Sequence, residues 1–181
     1  MIRPLTALFS LVLLAGCASL SEDACKSQDW YANGARDGSK GRDYDYVERH
    51  FQACNDYGIR PDVRRWEAGR RAGLPLYCTP ANAFEIGSRG GHLNAVCPAA
   101  DMPLLEDAEF LGGQVWEIDI QIDDARDDLR EARDLYVDPA TDDRLKSRAF
   151  LAEQRARSEI RRLERERRRI VREARALGYG G

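Results

Sequence analysis

The chain has 181 residues, with 28 lysines and arginines against 31 acids, a formal net charge of −3, two histidines and five cysteines. That length suits one ordinary domain or two small ones. No apolar stretch after Cys17 is long enough to cross a bilayer, which sets aside a membrane-spanning helix there, and the absence of any C-x-x-C pair argues against a zinc site.

At the N-terminus, Arg3 precedes an apolar run from Leu5 to Leu14, interrupted by Thr6 and Ser10 and closed by Leu14-Ala15-Gly16-Cys17. The run is too short to span a bilayer and ends on small residues, as a processed secretion signal does. The small-small-Cys ending resembles the bacterial lipoprotein signal. That resemblance implies removal of residues 1–16, a covalent lipid on Cys17 with no other cofactor, and attachment to a membrane. Each buried methylene contributes roughly 0.8 kcal/mol, so several acyl chains make attachment effectively permanent. Ala18 stands where Gram-negative lipoproteins kept in the inner membrane typically carry Asp. The expected location is therefore the periplasmic face of the outer membrane, where nucleic acid is not an expected partner.

Cys25, Cys54, Cys78 and Cys97 form an even set in an oxidising compartment, which points to two disulfides and no metal. Three connectivities are open. The sequential one, Cys25–Cys54 with Cys78–Cys97, is favoured because each bridge then stays within one sequence segment. Each would contribute about 3–4 kcal/mol on the chain-entropy model.

Residues 17–103 form a glycine-rich region with a weak internal repeat. Trp30-x-x-x-Gly34-x-x-x-Gly38 is echoed by Trp66-x-x-Gly69-x-x-x-Gly73, and more loosely by Phe84-x-x-Gly87-x-x-Gly90. Glycines four apart share one side of a helix and let another backbone approach closely. Between the first two units a helix is predicted from Tyr44 to Tyr57, ended by Gly58, with Val47, His50, Phe51, Cys54 and Tyr57 on one face. A later helix opens at Thr79-Pro80, with Thr as N-cap and Pro in the first helical position. No strand run is evident, so this region reads as several short helices stapled by disulfides.

Residues 104–181 read as a charged helical hairpin. In the first arm, Leu111, Val115, Ile118, Ile122, Ala125, Leu129, Ala132 and Tyr136 recur at steps of four and three, the spacing of a left-handed coiled-coil seam. Asp138-Pro139 interrupts it. The second arm carries Leu145, Ala149, Ala152, Ala156, Ile160, Leu163, Ile170, Ala174 and Leu177, with Arg167 in a seam position. Residues 104–138 hold 12 acids against three arginines, whereas residues 139–181 hold 13 bases against seven acids. An acidic arm followed by a basic one favours an antiparallel fold-back, although the same seams could pair between chains. The fold class is all-α: a disulfide-stapled, short-helix domain followed by a long antiparallel coiled-coil hairpin.

The stretch Gly69-Arg70-Arg71-Ala72-Gly73-Leu74-Pro75-Leu76-Tyr77-Cys78-Thr79-Pro80-Ala81-Asn82 leads on to Val96-Cys97-Pro98. Upstream, Asp29-Trp30 is followed by Gly34, Asp37-Gly38 and Gly41. Together these resemble an uncharacterised family of small bacterial lipoproteins, domain of unknown function 2799, over roughly Cys25 to Pro98. Ala35 and Ala83 depart from the family's pattern, which has an aromatic and a glycine there. The resemblance supports the lipoprotein reading and the two-disulfide framework, and it implies no activity.

Catalysis is not expected. His50 shares an apolar face with Cys54, His92 follows Gly90-Gly91 in a loop, and no nucleophile elbow, zinc-binding helix or paired-carboxylate motif is present. The leading reading is a non-enzymatic envelope adaptor whose hairpin engages a protein partner. The alternative is a periplasmic binding module for a cell-wall or anionic-lipid ligand. Its surface would consist of Trp30, Trp66, Arg70, Tyr77, Asn82, Arg89 and His92. The arginines between Arg161 and Arg169 read as a solvated face paired with glutamates such as Glu164 with Arg168, or else as a contact for peptidoglycan or anionic lipid.

Overall fold

The computed structural model describes residues 20–179, so the leader 1–16 and Cys17 lie outside the described residues. Seven α-helices follow in order: α1 (Glu22–Ser27), α2 (Trp30–Gly38), α3 (Val47–Asn55), α4 (Val63–Tyr77), α5 (Pro80–Gly87), α6 (Met102–Val137) and α7 (Asp143–Ala176). A 3-10 turn at Tyr44–Tyr46 leads into α3, and there is no strand among the described residues. Both disulfides are present in the sequential pairing, Cys25–Cys54 and Cys78–Cys97.

Short polar side chains cap most of the helices, though not α3 or α6. Asp29, Asp62, Thr79 and Asp142 each accept a hydrogen bond from the backbone N–H three residues on. Each satisfies a donor that the first helical turn leaves unpaired. Pro80 occupies the first turn of α5, as its fixed φ suits. The helix predicted at Tyr44–Tyr57 is shorter than expected: its first turn is 3-10, and α3 stops at Asn55. Gly58 follows with φ +65°, and Tyr57 is exposed.

The glycine repeat is the device that brings helices together. A Cβ on Gly34 would lie 1.9 Å from the Trp66 carbonyl oxygen, and one on Gly38 would lie 2.0 Å from that of Arg70. In return, Gly69 and Gly73 lie against the Tyr31 and Ala35 carbonyls of α2. The two helices therefore touch backbone to backbone. A second contact of the same kind joins α5 to α6, where Gly87 meets the Glu109 carbonyl and Gly112 meets that of Phe84. Gly90, the last glycine of the loosest echo, has φ +73° and lies under the Trp116 ring instead of stacking on Gly87's side.

Three cores result. Cys25, Trp30, Val47, Cys54 and Trp66 fill the first, among α1 to α4. Ala83, Leu105, Ala108, Ala174 and Tyr179 fill the second, in which α5 of the glycine-rich segment is covered by both long helices. Val115, Ile118, Ile122, Leu163 and Ile170 fill the third, between α6 and α7.

The two long helices run antiparallel. Asp119 meets Arg167, Arg133 meets Glu153, and Tyr136 lies 6.3 Å from Phe150 between ring centres. The residue numbers of each pair add to the same total, so every step along one helix is matched by a step back along the other. The seam is satisfied within the chain. At 1.5 Å per residue, α6 is about 54 Å long. Four expected seam residues lie outside the core: Tyr136, Leu145 and Leu177 are exposed, and so is Ala152, whose place is taken by Glu153. The opposite charges of the arms do not mainly pair with each other. Among the described residues, Arg167–Asp119 and Arg133–Glu153 are the ion pairs between α6 and α7, and the second has its base on the acidic arm. The others on these helices lie three or four residues apart, Glu164–Arg168 among them.

Gly112 and Gly113 sit side by side with opposite surroundings. A Cβ on Gly112 would meet the Phe84 oxygen at 2.2 Å, whereas one on Gly113 would meet nothing within 4 Å. Gly112→Ala is therefore expected to lower stability by about 1–3 kcal/mol through overpacking. Gly113→Ala should raise it by up to about 1 kcal/mol through helix propensity alone. Denaturant unfolding of both variants measures this, and shifts of equal sign would contradict the backbone contact.

Candidate functional site

The seven residues proposed as a ligand surface do not form one. Trp30 and Trp66 are buried in the first core, at 2% and 0% exposure. Trp66 Nε1 donates to Asp37 Oδ2 at 2.8 Å, and His50 Nε2 lies 2.6 Å from the same oxygen. Asp37 is thus the polar centre of the first core, joining α2, α3 and α4. Fully buried His50 offers no path to a substrate.

Arg70 is also internal. Its Nε and Nη2 donate to the two oxygens of Glu67 at 2.7 and 3.1 Å, and Nη1 donates to the Arg42 carbonyl at 3.0 Å. Arg71 Nε donates to Glu67 Oε1 as well. Burial alone would raise the Glu67 carboxyl, but the hydrogen bonds from Arg70 and Arg71 outweigh it and hold the group below its ordinary value of 4.5. Tyr77 is a buried strut. Its ring fills the space over Gly41, and its hydroxyl accepts from the Asn94 N–H at 2.9 Å. Asn94 Nδ2 donates in turn to the Gly41 carbonyl. Asn82, half-buried at the start of α5, donates from Nδ2 to the Tyr77 carbonyl.

Only Arg89 and His92 reach solvent freely. Arg89 pairs with Glu85, four residues back, at 2.7 Å. The His92 side chain is 90% exposed, and its Nδ1 lies 2.8 Å from Glu109 Oε1. The second oxygen of Glu109 accepts from the Leu93 N–H, so this carboxylate pins the loop after α5 onto α6. Beside it lies an open cleft of about 530 Å³, lined by glycines, by Phe110 and Trp116 and by Glu106 and Glu117. No group of three His, Cys, Asp or Glu among the described residues is placed to hold a metal ion.

Sequence reasoning missed Asp37, Glu67, Asn94 and Glu109, the acceptors and donors that fix these elements. Asp37 carried a signal: it falls on the face of Trp30 and Gly34, at helical spacing, where a solvated acid has no place. Glu109 carried none, because its partners lie in a loop far along the chain.

Removing Asp37 strands two buried groups. Asp37→Ala is expected to cost about 2–4 kcal/mol, whereas Arg89→Ala should stay within about 0.5 kcal/mol of the parent, both read by thermal or denaturant unfolding. Glu67 gives a pH signature. Its carboxyl is depressed in the folded chain, so its contribution is complete above the unfolded value near 4.5 and fades as pH falls through the lower folded value. Glu67→Gln should therefore destabilise at neutral pH, and its deficit against the parent should shrink in acid. A pH-independent deficit would show that the charge plays no part.

No curated protein and no solved structure matches the chain. Residues 29–112 run from the N-cap of α2 to the last of the six glycines at which helices touch, and they match the family described as "Protein of unknown function (DUF2799)", the one the sequence resembles.

Proposed function

We propose that this chain is a lipid-anchored adaptor of the bacterial outer membrane. In this reading Cys17 carries the lipid, the disulfide-stapled helices stand near the membrane, and α6 and α7, as a coiled coil, reach into the periplasm to hold a protein partner without catalysing a reaction. No described helix is long and apolar enough to cross a membrane, which is compatible with lipid anchorage.

The observation that carries the reading is at the far end of the long helices. Tyr136, Phe150 and Leu151 are 47%, 48% and 55% exposed and line one open surface where α6 turns into α7, beside Val137 at the helix end, which is 71% exposed. The helices beneath them are joined through small side chains, with Ala125, Ala132, Ala149 and Ala156 as the buried residues of that half. Large apolar side chains therefore stand outside a thin seam. Exposed apolar side chains rimmed by polar ones, here Asp143, Lys146 and Ser147, are typical of a protein-docking site. Its partner would present an apolar segment.

A second reading, a periplasmic binding module, has one observation in its favour, the open cleft beside His92. Its aromatic side chains and the carboxylates Glu106, Glu109 and Glu117 suit an amine-bearing cell-wall ligand better than an anionic lipid.

Photo-cross-linking in living cells tests the two together. A photo-reactive residue at Leu151 is expected to give a discrete protein adduct that disappears when Phe150→Glu is added. Adducts from a probe at Arg89 alone, or sacculus-bound material without protein, would overturn the adaptor reading. Cys17→Ser should move the chain from the membrane to the soluble fraction.

A further inference from the structure

The α6–α7 pair has two broad faces, and α5 covers part of one, at Gly112. Arg126 and Arg133 continue the line of Gly112 at spacings of seven, so the arginines of α6 lie toward that side. The opposite face is divided by charge. Along α6 run Glu117, Asp124 and Glu131, each seven residues from the next, with Asp138 one repeat further on. All are exposed, and none makes an ion pair within the described chain. Along α7 run Arg148, Arg155, Arg162 and Arg169 at the same spacing, all exposed.

The two lines are in register. Asp119–Arg167 and Arg133–Glu153 fix which residues of α6 and α7 stand at one height. By that rule Glu117 is level with Arg169, Asp124 with Arg162, Glu131 with Arg155, and Asp138 with Arg148. Within one chain each line looks outward, so these residues are not in contact. A two-fold axis parallel to the helices preserves height while placing α6 of one chain against α7 of another. Each acid of one line then meets an arginine of its partner line, and both chains point the same way.

We propose that this face is a self-association surface and that its occupant is a second copy of this chain, held in that parallel two-fold arrangement. Between the lines lie Gln121, Asp128, Leu135, Ala152, Glu159 and Glu166, the two glutamates already holding Arg162, while Glu173 pairs with Arg169. The interface is therefore wet and electrostatic, with acids of α7 reducing its basic surplus without reversing it. It would extend about 30 Å along two helices about 20 Å across, near 600 Å² per partner, the size of a weak reversible contact. The other face is the poorer candidate, because α5 covers part of it and Arg126, Arg130 and Arg133, already paired with Asp123, Asp127 and Glu153, would stand opposite Arg157 and Arg161. The proposal stands whether or not Cys17 carries lipid.

Sedimentation equilibrium on residues 17–181 carrying Cys17→Ser tests it at about 0.1 mM chain, where any tighter dissociation constant is seen. In about 0.01 M salt, with charges felt over about 30 Å, twice the monomer mass is expected. In about 1 M salt, with screening inside about 3 Å, the monomer mass is expected. Asp124→Lys with Glu131→Lys should be monomeric in low salt, as should Arg155→Glu with Arg162→Glu, both with parental helicity. An equal mixture of the two charge-reversed chains should regain the dimer mass, because every reversed line then meets its complement. A parent that stays monomeric in low salt would overturn the proposal. So would a dimer that survives either reversal, or a mixture that stays monomeric.

Discussion

Contact between the backbones of α2 and α4 is the constraint on which the rest of the first core depends. Four glycines, Gly34, Gly38, Gly69 and Gly73, face carbonyls of the opposite helix, and a methyl group at any of them would collide. Each glycine costs a helix about 1 kcal/mol relative to alanine, so four of them are not a neutral choice. What they gain is proximity: two helices this close can exchange Cα–H···O contacts and dispersion along their whole crossing. The same proximity brings Trp66 of α4 within hydrogen-bonding reach of Asp37 on α2, and so positions His50 of α3. The polar centre exists because the helices touch.

This closeness also explains why the aromatic and basic residues that looked like a ligand surface are internal. A glycine-bared helix face can receive either a ligand or another helix, and sequence alone leaves that choice open. Here a second helix fills the face, which turns Trp30, Trp66 and Arg70 inward. Residue type was legible and solvent access was not. The repeat itself was readable as a close-approach device, because glycines four apart stack on one side whatever they meet. Of the α5–α6 contact, the α5 half was legible in Gly87 of the loosest echo, whereas the α6 half was hidden. Gly112 lies inside a long helical pattern, and the aromatic before it, Phe110, stands two residues away instead of the three or four of the repeat.

The long helices show the same division between local and distant information. Their periodicity made the seam readable almost residue by residue, because apolar spacing is a local property. The exchange of Ala152 for Glu153 was not readable. An acid occupies a seam position only when a base reaches it, and here Arg133 does so from the opposite helix, 20 residues earlier in the chain. Likewise Arg167, a breach of the seam in sequence, is answered by both oxygens of Asp119. Hydrogen bonding to Asp119 raises the Arg167 guanidinium above its usual value and keeps it charged at the edge of the third core. Local pattern reveals where a rule is broken, and only the fold reveals the compensation.

Charge separation between the arms calls for a different explanation from the one that their sequences invite. If opposite charge were there to close the hairpin, acids and bases would face each other across the seam. Two pairs do, and one of them runs against the general bias. Exposed pairs of this kind contribute only tenths of a kcal/mol, so the apolar seam closes the hairpin whatever the charges do. The seam also thins toward the far end, where alanines replace Ile and Leu, so the end with the least buried area carries the exposed Tyr136, Val137, Phe150 and Leu151. Under the adaptor and self-association proposals, a helix pair whose charges are not needed for its own closure, and whose tip keeps its large apolar residues outside, serves contacts beyond the single chain. Charge acts over a Debye length and sets orientation, whereas apolar contact acts only on touching and sets affinity. Separating the two along one rod allows neighbouring chains to be aligned by the long flanks while the tip stays free for a different partner.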